Sequence, residues 1–487
     1  MKRLYIIIAI FLINTSIFSQ SIYVDNSLVF SQNNYGGTAR FVGMGGAFGA
    51  LGGDLGSLSI NPGGIGVFQS SELVFSPGLL FDKTTSSYLG NSFNDNKYKM
   101  NINNFGFVAS YDLTNSDTRW TNFNFSVTYN KVNNFSRNIY FSGVSNYSLL
   151  EYAVDGANVD GAWDPLFHEL LWQTYVLNED VDTMIISDAT DRLMEDVDGF
   201  RINQSKTIQT EGSKGIYNIT FGANYSHQLY IGASIGIETL NYSQSSSHFE
   251  SESAITPLDS LLSFNYLEKT EITGTGFTFK VGAIYKPIDF LRLGLAIHLP
   301  TFYELQDEFS VEVSSVFDND DFSASNGGRN NYNLNTPMRF IGSLGLQISK
   351  FALFDIDYEY VDYSTMKLEE DDDLQDVQID NTAIQNLYQA QHNIRVGAEF
   401  RTGPVYLRGG AAYSTSPFVK TDYSINHETS YLTFAGGIGY RVKNFFVDFA
   451  YSQLVNDYKL TLFEYNPNNT TINTKQNNFI LSIGFKF

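Results

Sequence analysis

The 487-residue chain carries 52 acidic against 30 basic side chains, a formal charge of -22. Nothing offsets the repulsion of nucleic-acid phosphates, which excludes DNA and RNA as partners. The absence of cysteine excludes a disulfide framework and a cysteine-linked lipid anchor.

The first element is a leader. Lys2 and Arg3 precede an apolar run, Leu4 to Ile13, too short to span a bilayer, and small and polar residues follow at Ser19 and Gln20. This order predicts a cleaved secretory signal over residues 1–20. No later segment has the uninterrupted apolar run of a transmembrane helix. Aromatic residues nevertheless make up 15% of the chain, and the girdles of a membrane interface are one place for that load.

Residues 21–70 hold the glycine-rich stretch "GTARFVGMGGAFGALGGDLGSLSINPGGIGVF". It fails as a nucleotide loop. From Gly43 and Gly45 the third glycine position falls on Phe48, and no lysine lies between Gly37 and Phe68. The remaining reading is a compact, irregular segment packed against backbone where side chains do not fit. At its end Pro62 fixes its own φ, Asn61 is biased away from helix, and Gly63 is expected to take a positive φ.

From Ser71 onward the chain alternates. In "NFNFSVTYN", Phe123, Phe125, Val127 and Tyr129 oppose Asn124, Ser126, Thr128 and Asn130. In "LFDIDYEY", Phe354, Ile356, Tyr358 and Tyr360 oppose Asp355, Asp357 and Glu359. "NIRVGAEFR" and the closing "NNFILSIGFKF" repeat the pattern, the last ending on a terminal phenylalanine. A sandwich buries the apolar face, whereas a membrane barrel turns it to lipid and the charges to the lumen. Leader, aromatic load and terminal Phe487 together select the barrel.

Short joints are predicted at Thr114–Arg119, Ser226–Gln228, Lys286–Asp289, Ser349–Lys350, Thr402–Gly403 and Val442–Asn444. Long polar connections are predicted at Glu250–Thr270, Ser314–Asn335, Met366–His392, Ser416–Thr429 and Glu464–Thr474. The alternation of short and long fits an all-β, transmembrane antiparallel β-barrel of about 14 strands over residues 71–487, with both ends in the periplasm. Residues 21–70 then start at the periplasmic mouth and fold into the lumen as a hatch, since irregular backbone at membrane depth must be buried in protein.

An insertion at residues 135–206 follows the third strand. "SLLEYAV" and "DPLFHELLWQTYVL" have helical spacing, with Asp164 placed to cap the second helix and Pro165 in its first turn. Such helices either collect greasy ligands or pack over the barrel mouth.

The stretch "GMGGAFGALGGDLGSLSINPGGIG" resembles the amino-terminal hatch of the OmpP1/FadL/TodX family of outer-membrane transporters of hydrophobic compounds. Gly45, Gly46, Ala47 and Phe48 match its Gly-Gly-Ala-Phe, and Asp54 and Ser57 align. Asn61, Pro62 and Gly64 match its Asn-Pro-Ala-Gly-Leu, with Gly63 for the alanine and Ile65 for the leucine. "LNTPMRFIGSLGLQI", "FDIDYEYVDYS" and "NIRVGAEFRTGPVYLRGGAAYSTSP" extend the likeness.

The resemblance implies passive uptake of long-chain fatty acids or other hydrophobic molecules across the outer membrane of a Gram-negative bacterium, by a monomer in contact with outer-membrane lipid. It implies a ligand pocket beside the hatch and sideways release near an inward kink of the third strand. Here that strand, Asn122–Val132, contains no glycine or proline to mark a kink. The family's ligand-collecting helices usually follow the fifth and seventh strands, whereas this chain's insertion follows the third.

The candidate ligand-binding and gating residues are Phe48, Asn61, Pro62, Gly63, Arg339, Arg395 and Arg408. Arg292 and Arg401 also face inward by alternation, as do Asp355, Asp357, Glu359, Glu399 and Asp448. These charges either lock wall to hatch or leave one arginine to receive a ligand carboxylate. Six scattered histidines show no metal spacing, and His298 reads as lumen-lining. The acidic runs Asp318–Asp321 and Glu369–Asp373 read as solvated loops without calcium-loop spacing. No enzyme, cofactor or metal is expected. The alternative function, from another class, is a barrel scaffold handling cargo in protein secretion at the cell surface, which a closed polar lumen without an apolar pocket favours.

Overall fold

The computed structural model describes residues 22–114, 118–159, 163–180, 184–187, 201–252, 261–369, 374–420, 430–463 and 466–487. The leader and the acidic residues 370–373 lie outside them.

Fourteen antiparallel strands close a barrel. They are β1 (Glu72–Tyr88), β2 (Asn91–Asp112), β3 (Trp120–Asn134, continued by Arg137–Ser145), β4 (Ile202–Tyr225), β5 (Leu229–Glu252) and β6 (Leu261–Ile288). Then come β7 (Leu291–His298, continued by Phe302–Phe317), β8 (Asp321–Asn335, continued by Arg339–Ile348), β9 (Ala352–Asp362) and β10 (Ala390–Thr402). The circuit ends with β11 (Val405–Ser414), β12 (Tyr431–Arg441), β13 (Phe445–Thr461) and β14 (Asn469–Lys486). β14 pairs back onto β1, from Glu72 opposite Lys486 upward, so the sheet closes on itself. The expected short joints at 226–228, 286–289, 349–350, 402–403 and 442–444 fall at turns between strands on the periplasmic side, and residues 115–117 of the sixth lie outside the described residues.

Inside and outside follow the alternation. Ile356 and Tyr358 are exposed on the outer wall, while Asp355, Asp357 and Glu359 are fully buried inside. Ile356→Arg is expected to cost roughly 2–4 kcal/mol near mid-bilayer, read by urea unfolding in vesicles against Ile356→Leu. A loss no larger than that of the leucine variant would reverse the orientation of β9. Asp357, although it faces inward, is not a suitable control. Its carboxylate accepts from hatch backbone, and a larger side chain there would unseat the segment.

Two of the polar stretches expected as long loops are largely strand. Glu250–Thr270 is ladder except for residues outside the description, and Ser314–Asn335 turns only at Asp318–Asp320. A bilayer needs about 9–11 residues per strand, yet β4, β5 and β6 run to 24, 24 and 28 residues. Their outer halves stand above the membrane in water. Backbone pairing holds them there, and neither face needs to be apolar.

Both segments of the insertion with helical spacing contain a helix. Helices α3 (Leu149–Ala157) and α4 (His168–Gln173) pack Leu149, Leu150, Leu170 and Leu171 onto Leu261, Phe264, Val311 and Val313 of β6 and β7. Its two ends are not loop: Arg137–Ser145 continues β3 and pairs with β4 from Ile202. Asp164 caps the turn before α4, accepting from Leu166 N at 2.7 Å, rather than the helix itself. At the start of α3, Ser148 caps Leu150 N, and Glu250 of β5 accepts from Ser148 Oγ at 2.5 Å and Leu149 N at 2.9 Å.

Burial pushes the Glu151 carboxyl of α3 up to about 7, with the like charges of Glu250 and Asp155 adding to it. Its unfolded value is near 4.3. The docked helix holds the proton more tightly, so docking is strongest below pH 4 and weakens as pH rises through about 7. Hydrogen exchange in α3, corrected for intrinsic rates, is therefore expected to show less protection at pH 8 than at pH 5. Glu151→Gln should flatten that dependence; an unchanged slope would place the titration elsewhere.

Candidate functional site

The segment before β1 occupies the lumen. Helix α1 (Ile22–Ser31), which no amphipathic spacing announces, is buried over most of its length, with Val24, Leu28 and Phe30 in one cluster, Asn26, Ser27 and Ser31 also buried, and Ile22 and Asp25 exposed near its start. Helix α5 (Leu374–Leu387) packs near it from outside, and Ile384 belongs to the same cluster. Two wall cations cap the carboxyl end of α1 where its carbonyls lack partners. Lys214 Nζ donates to Phe30 O and Gln32 O at 2.6 and 2.7 Å, and Arg339 Nη2 donates to Ser31 O at 2.5 Å.

Helix α2 (Ala39–Gly43) begins at Thr38, whose hydroxyl donates to Asp54 and accepts from Phe41 N. The loop that follows turns on Gly45 and Gly46, with φ +66° and +77°, and Gly45 lies so close to β11 that a Cβ would stand 2.8 Å from Ala411 N. Next, the backbone N–H groups of Phe48 and Gly49 donate to Asp357, both at 3.0 Å, and Ala50 N donates to Asp355 at 3.3 Å. The hatch carbonyls meet donors instead: Arg292 Nη1 donates to Leu51 O at 2.6 Å, and His298 Nε2 to Ile60 O at 2.8 Å. The lumenal charges thus supply the partners that an irregular backbone at membrane depth requires.

Asn61, Pro62 and Gly63 form the second seat. Asn61 caps a short 3-10 helix, Pro62–Val67, by accepting from Gly63 N at 2.9 Å, and its amide donates to Gly49 O and Ala283 O. Gly63 does not have the expected positive φ. Proximity demands the glycine: a Cβ there would lie 2.8 Å from Ala283 Cα on β6. Phe48 is fully buried, its ring 6.1 Å from Phe41 and 5.0 Å from the Arg40 guanidinium carbon.

The inward arginines fall into two networks. Glu359 is shared by Arg339, at 2.6 Å, and Arg395. Glu399 is shared by Arg40 of the hatch and Arg408, at 2.8 and 2.6 Å, and Arg408 continues to Asp448 at 2.7 Å. Arg401 stands apart at the periplasmic rim, exposed and in neither network.

Above α2 lies a cavity of about 150 Å³. Phe41, Val42, Val132, Leu454 and Ile480 give it an apolar side, and Tyr35, Asn103, Asn393 and Arg395 a polar one. Arg395 Nη1, Asn103 Nδ2 and Asn393 Oδ1 are buried there without hydrogen-bond partners among the described residues. Of the seven candidates, Arg395 lines this cavity. Arg339 and Arg408 are tied into the networks, and Phe48, Asn61, Pro62 and Gly63 sit in the hatch's contacts with the wall.

The third strand is kinked. β2 pairs with β3 only from Asn104–Asn130 down to Asp112–Asn122. Above Asn130, Lys131, Val132 and Asn133 are all buried, which breaks the alternation, and the register with β4 shifts there. Gly36 N of the hatch donates to Lys131 O at 2.9 Å, taking the carbonyl that leaves the wall. Asn133 exchanges bonds with Asn34 N and Gln32 O. The cause is a long-range partner, so β3 itself needs no glycine or proline. A signal did exist two strands away: Pro77 in β1 marks a bulge, opposite which Asn103 of β2 is left out of register. Both Lys131 and Asn103 line the cavity, so it abuts the unpaired span of the wall.

Residues 204–486 match the family described as outer membrane protein transport protein (OMPP1/FadL/TodX). A FadL homologue from Pseudomonas aeruginosa is 13% identical and superposes with a TM-score of 0.56, over 93% of this chain and 98% of its own. The Ralstonia pickettii toluene transporter TbuX is 15% identical, with a TM-score of 0.52 over 93% and 98% of the two chains. The P. putida toluene transporter TodX is 13% identical, with a TM-score of 0.51 over the same shares. At such identities these likenesses show the fold alone, and no curated protein matches. Match, closed barrel and plugged lumen agree: the chain belongs to the OmpP1/FadL/TodX family of outer-membrane transporters of hydrophobic compounds.

Proposed function

We propose that the protein takes up long-chain fatty acids, or amphipathic acids of similar form, passively through the outer membrane. Residues 1–20 serve as the leader, 21–70 as the gating hatch and 71–487 as the barrel. The ligand's carboxylate meets Arg395 in the cavity above α2, and its tail lies against Phe41, Val42 and Leu454. Release runs sideways through the span where β2 and β3 are unpaired. Phe48, Asn61, Pro62 and Gly63 hold the hatch in place, while Arg339 and Arg408 fix wall to hatch and touch no ligand.

The observation that carries this reading is Arg395, which lines the cavity and whose Nη1 is buried without a partner among the described residues. A pure hydrocarbon would leave that donor unsatisfied at a cost, whereas a carboxylate supplies a charge-assisted bond. This favours an acid over an aromatic hydrocarbon. The apolar side of the cavity counts against a cargo-handling scaffold.

Arg395→Gln is expected to weaken binding of a labelled long-chain fatty acid about tenfold or more, the loss of one charged hydrogen bond. Toluene binding should change little. Equal losses for both ligands, or none for the acid, would remove Arg395 from the site. Mass spectrometry of the protein released from mild detergent would show a retained acid directly.

A further inference from the structure

A second cavity, of about 450 Å³, opens on the other side of the hatch, among the periplasmic turns. Its size falls within the range of small-molecule sites, roughly 300–1,000 Å³. Arg40, Arg292, Lys350, Arg401 and Lys486 line it, against one carboxylate, Glu399. Glu399 is already taken, since Arg40 and Arg408 occupy both its oxygens. Lys486 pairs with Glu72 at 3.1 Å. No carboxylate lies within ion-pair distance of Arg292, Lys350 or Arg401 among the described residues, and Arg292 Nε is buried without a partner. In a chain of net charge -22 this concentration of unmatched positive charge needs an explanation.

One turn of backbone separates the two cavities. On α2, Arg40 lines the periplasmic one, and Phe41 and Val42 line the upper one. The unpaired span of β2 and β3 borders the upper cavity only, so sideways release bypasses the lower.

We propose that this vestibule is a second binding site, for a single-chain amphipathic anion on the periplasmic face of the hatch. Arg292, Lys350 and Arg401 hold the anionic head, and Phe351, Leu353 and Tyr406, which share the lining, hold the tail. The plug thus separates two anion-receptive chambers, and an anion below competes with Glu399 for Arg40. The proposal stands apart from the assignment of Arg395.

The chain's lack of cysteine makes the test direct. Ser70 lines the vestibule and Ser414 the upper cavity. In Ser70→Cys, an anionic methanethiosulfonate reagent is expected to react about tenfold or more faster than its cationic analogue at low salt, the preference shrinking as salt rises. Octanoate should slow labelling, and octyl glucoside, with the same tail and no charge, should not. Adding Arg292→Gln, Lys350→Gln and Arg401→Gln should abolish both preference and protection, with folding checked by heat-modifiable gel migration. Arg395→Gln should alter octanoate protection in Ser414→Cys and leave Ser70→Cys unchanged, so either site can fail alone. Equal labelling rates, protection by octyl glucoside, or protection that survives the triple substitution would overturn the vestibule.

Discussion

Gly63→Val is expected to make the outer membrane leaky to small hydrophilic dyes while the barrel stays folded. The added Cβ would meet Ala283 Cα at 2.8 Å and Gly282 O at 2.9 Å. These are wall backbone, and β6 is held by ladders to β5 and to β7 on either side, so the wall cannot give way. The hatch must lift instead. Asn61 then loses its bonds to Gly49 O and Ala283 O, and the loop between the two seats loses one of its anchors. The barrel survives because its strands pair with one another and none of that pairing passes through the hatch. The measurement is dye permeability and fatty-acid uptake in cells at equal surface abundance, with heat-modifiable migration reporting the fold. Wild-type permeability would mean that the turn is no part of the barrier.

Glu359→Ala is expected to be the most destabilising single change in the lumen. Glu359 is fully buried and neutralises two guanidinium groups, those of Arg339 and Arg395. Removing it leaves both cations buried without compensation, for which about 3–5 kcal/mol is a reasonable scale. The effect should spread to the hatch, because Arg339 also caps α1 through Ser31 O. Urea unfolding in vesicles would read the loss, with Glu308→Ala as control. Glu308 pairs with Arg329 on exposed strand, and such a pair contributes about 0–1 kcal/mol. Similar losses for the two variants would mean that Glu359 is solvated, and the network would lose its role as a lock.

Where the expectations fell short, the deciding partner was distant in sequence. Polar strands such as Asp321–Asn335 carry no apolar face to read, and only pairing with Phe302–Val316 and the neighbouring ladder makes them strand. Helix α1 shows no stripe because polar residues, Asn26, Ser27 and Ser31, are buried along with Val24, Leu28 and Phe30. The local pattern at Gly63 suggests a turn with positive φ, yet contact with Ala283 decides the residue there. Lys131–Asn133 looked straight because the group that draws it inward, Gly36 N, lies far earlier in the chain.

By itself the sequence determined the barrel, its in-and-out orientation, the periplasmic turns and the glycine-rich plug. Each follows from local physics: period-two alternation, short turn-forming joints, and glycines where backbone meets backbone. The tertiary structure alone decided which arginines line a cavity and which are wholly taken up in networks, where the wall opens, and how far the strands stand above the membrane. Arg339, Arg395 and Arg408 all point inward by the same alternation. What separates them is the carboxylates and carbonyls that other strands and the hatch bring beside each one.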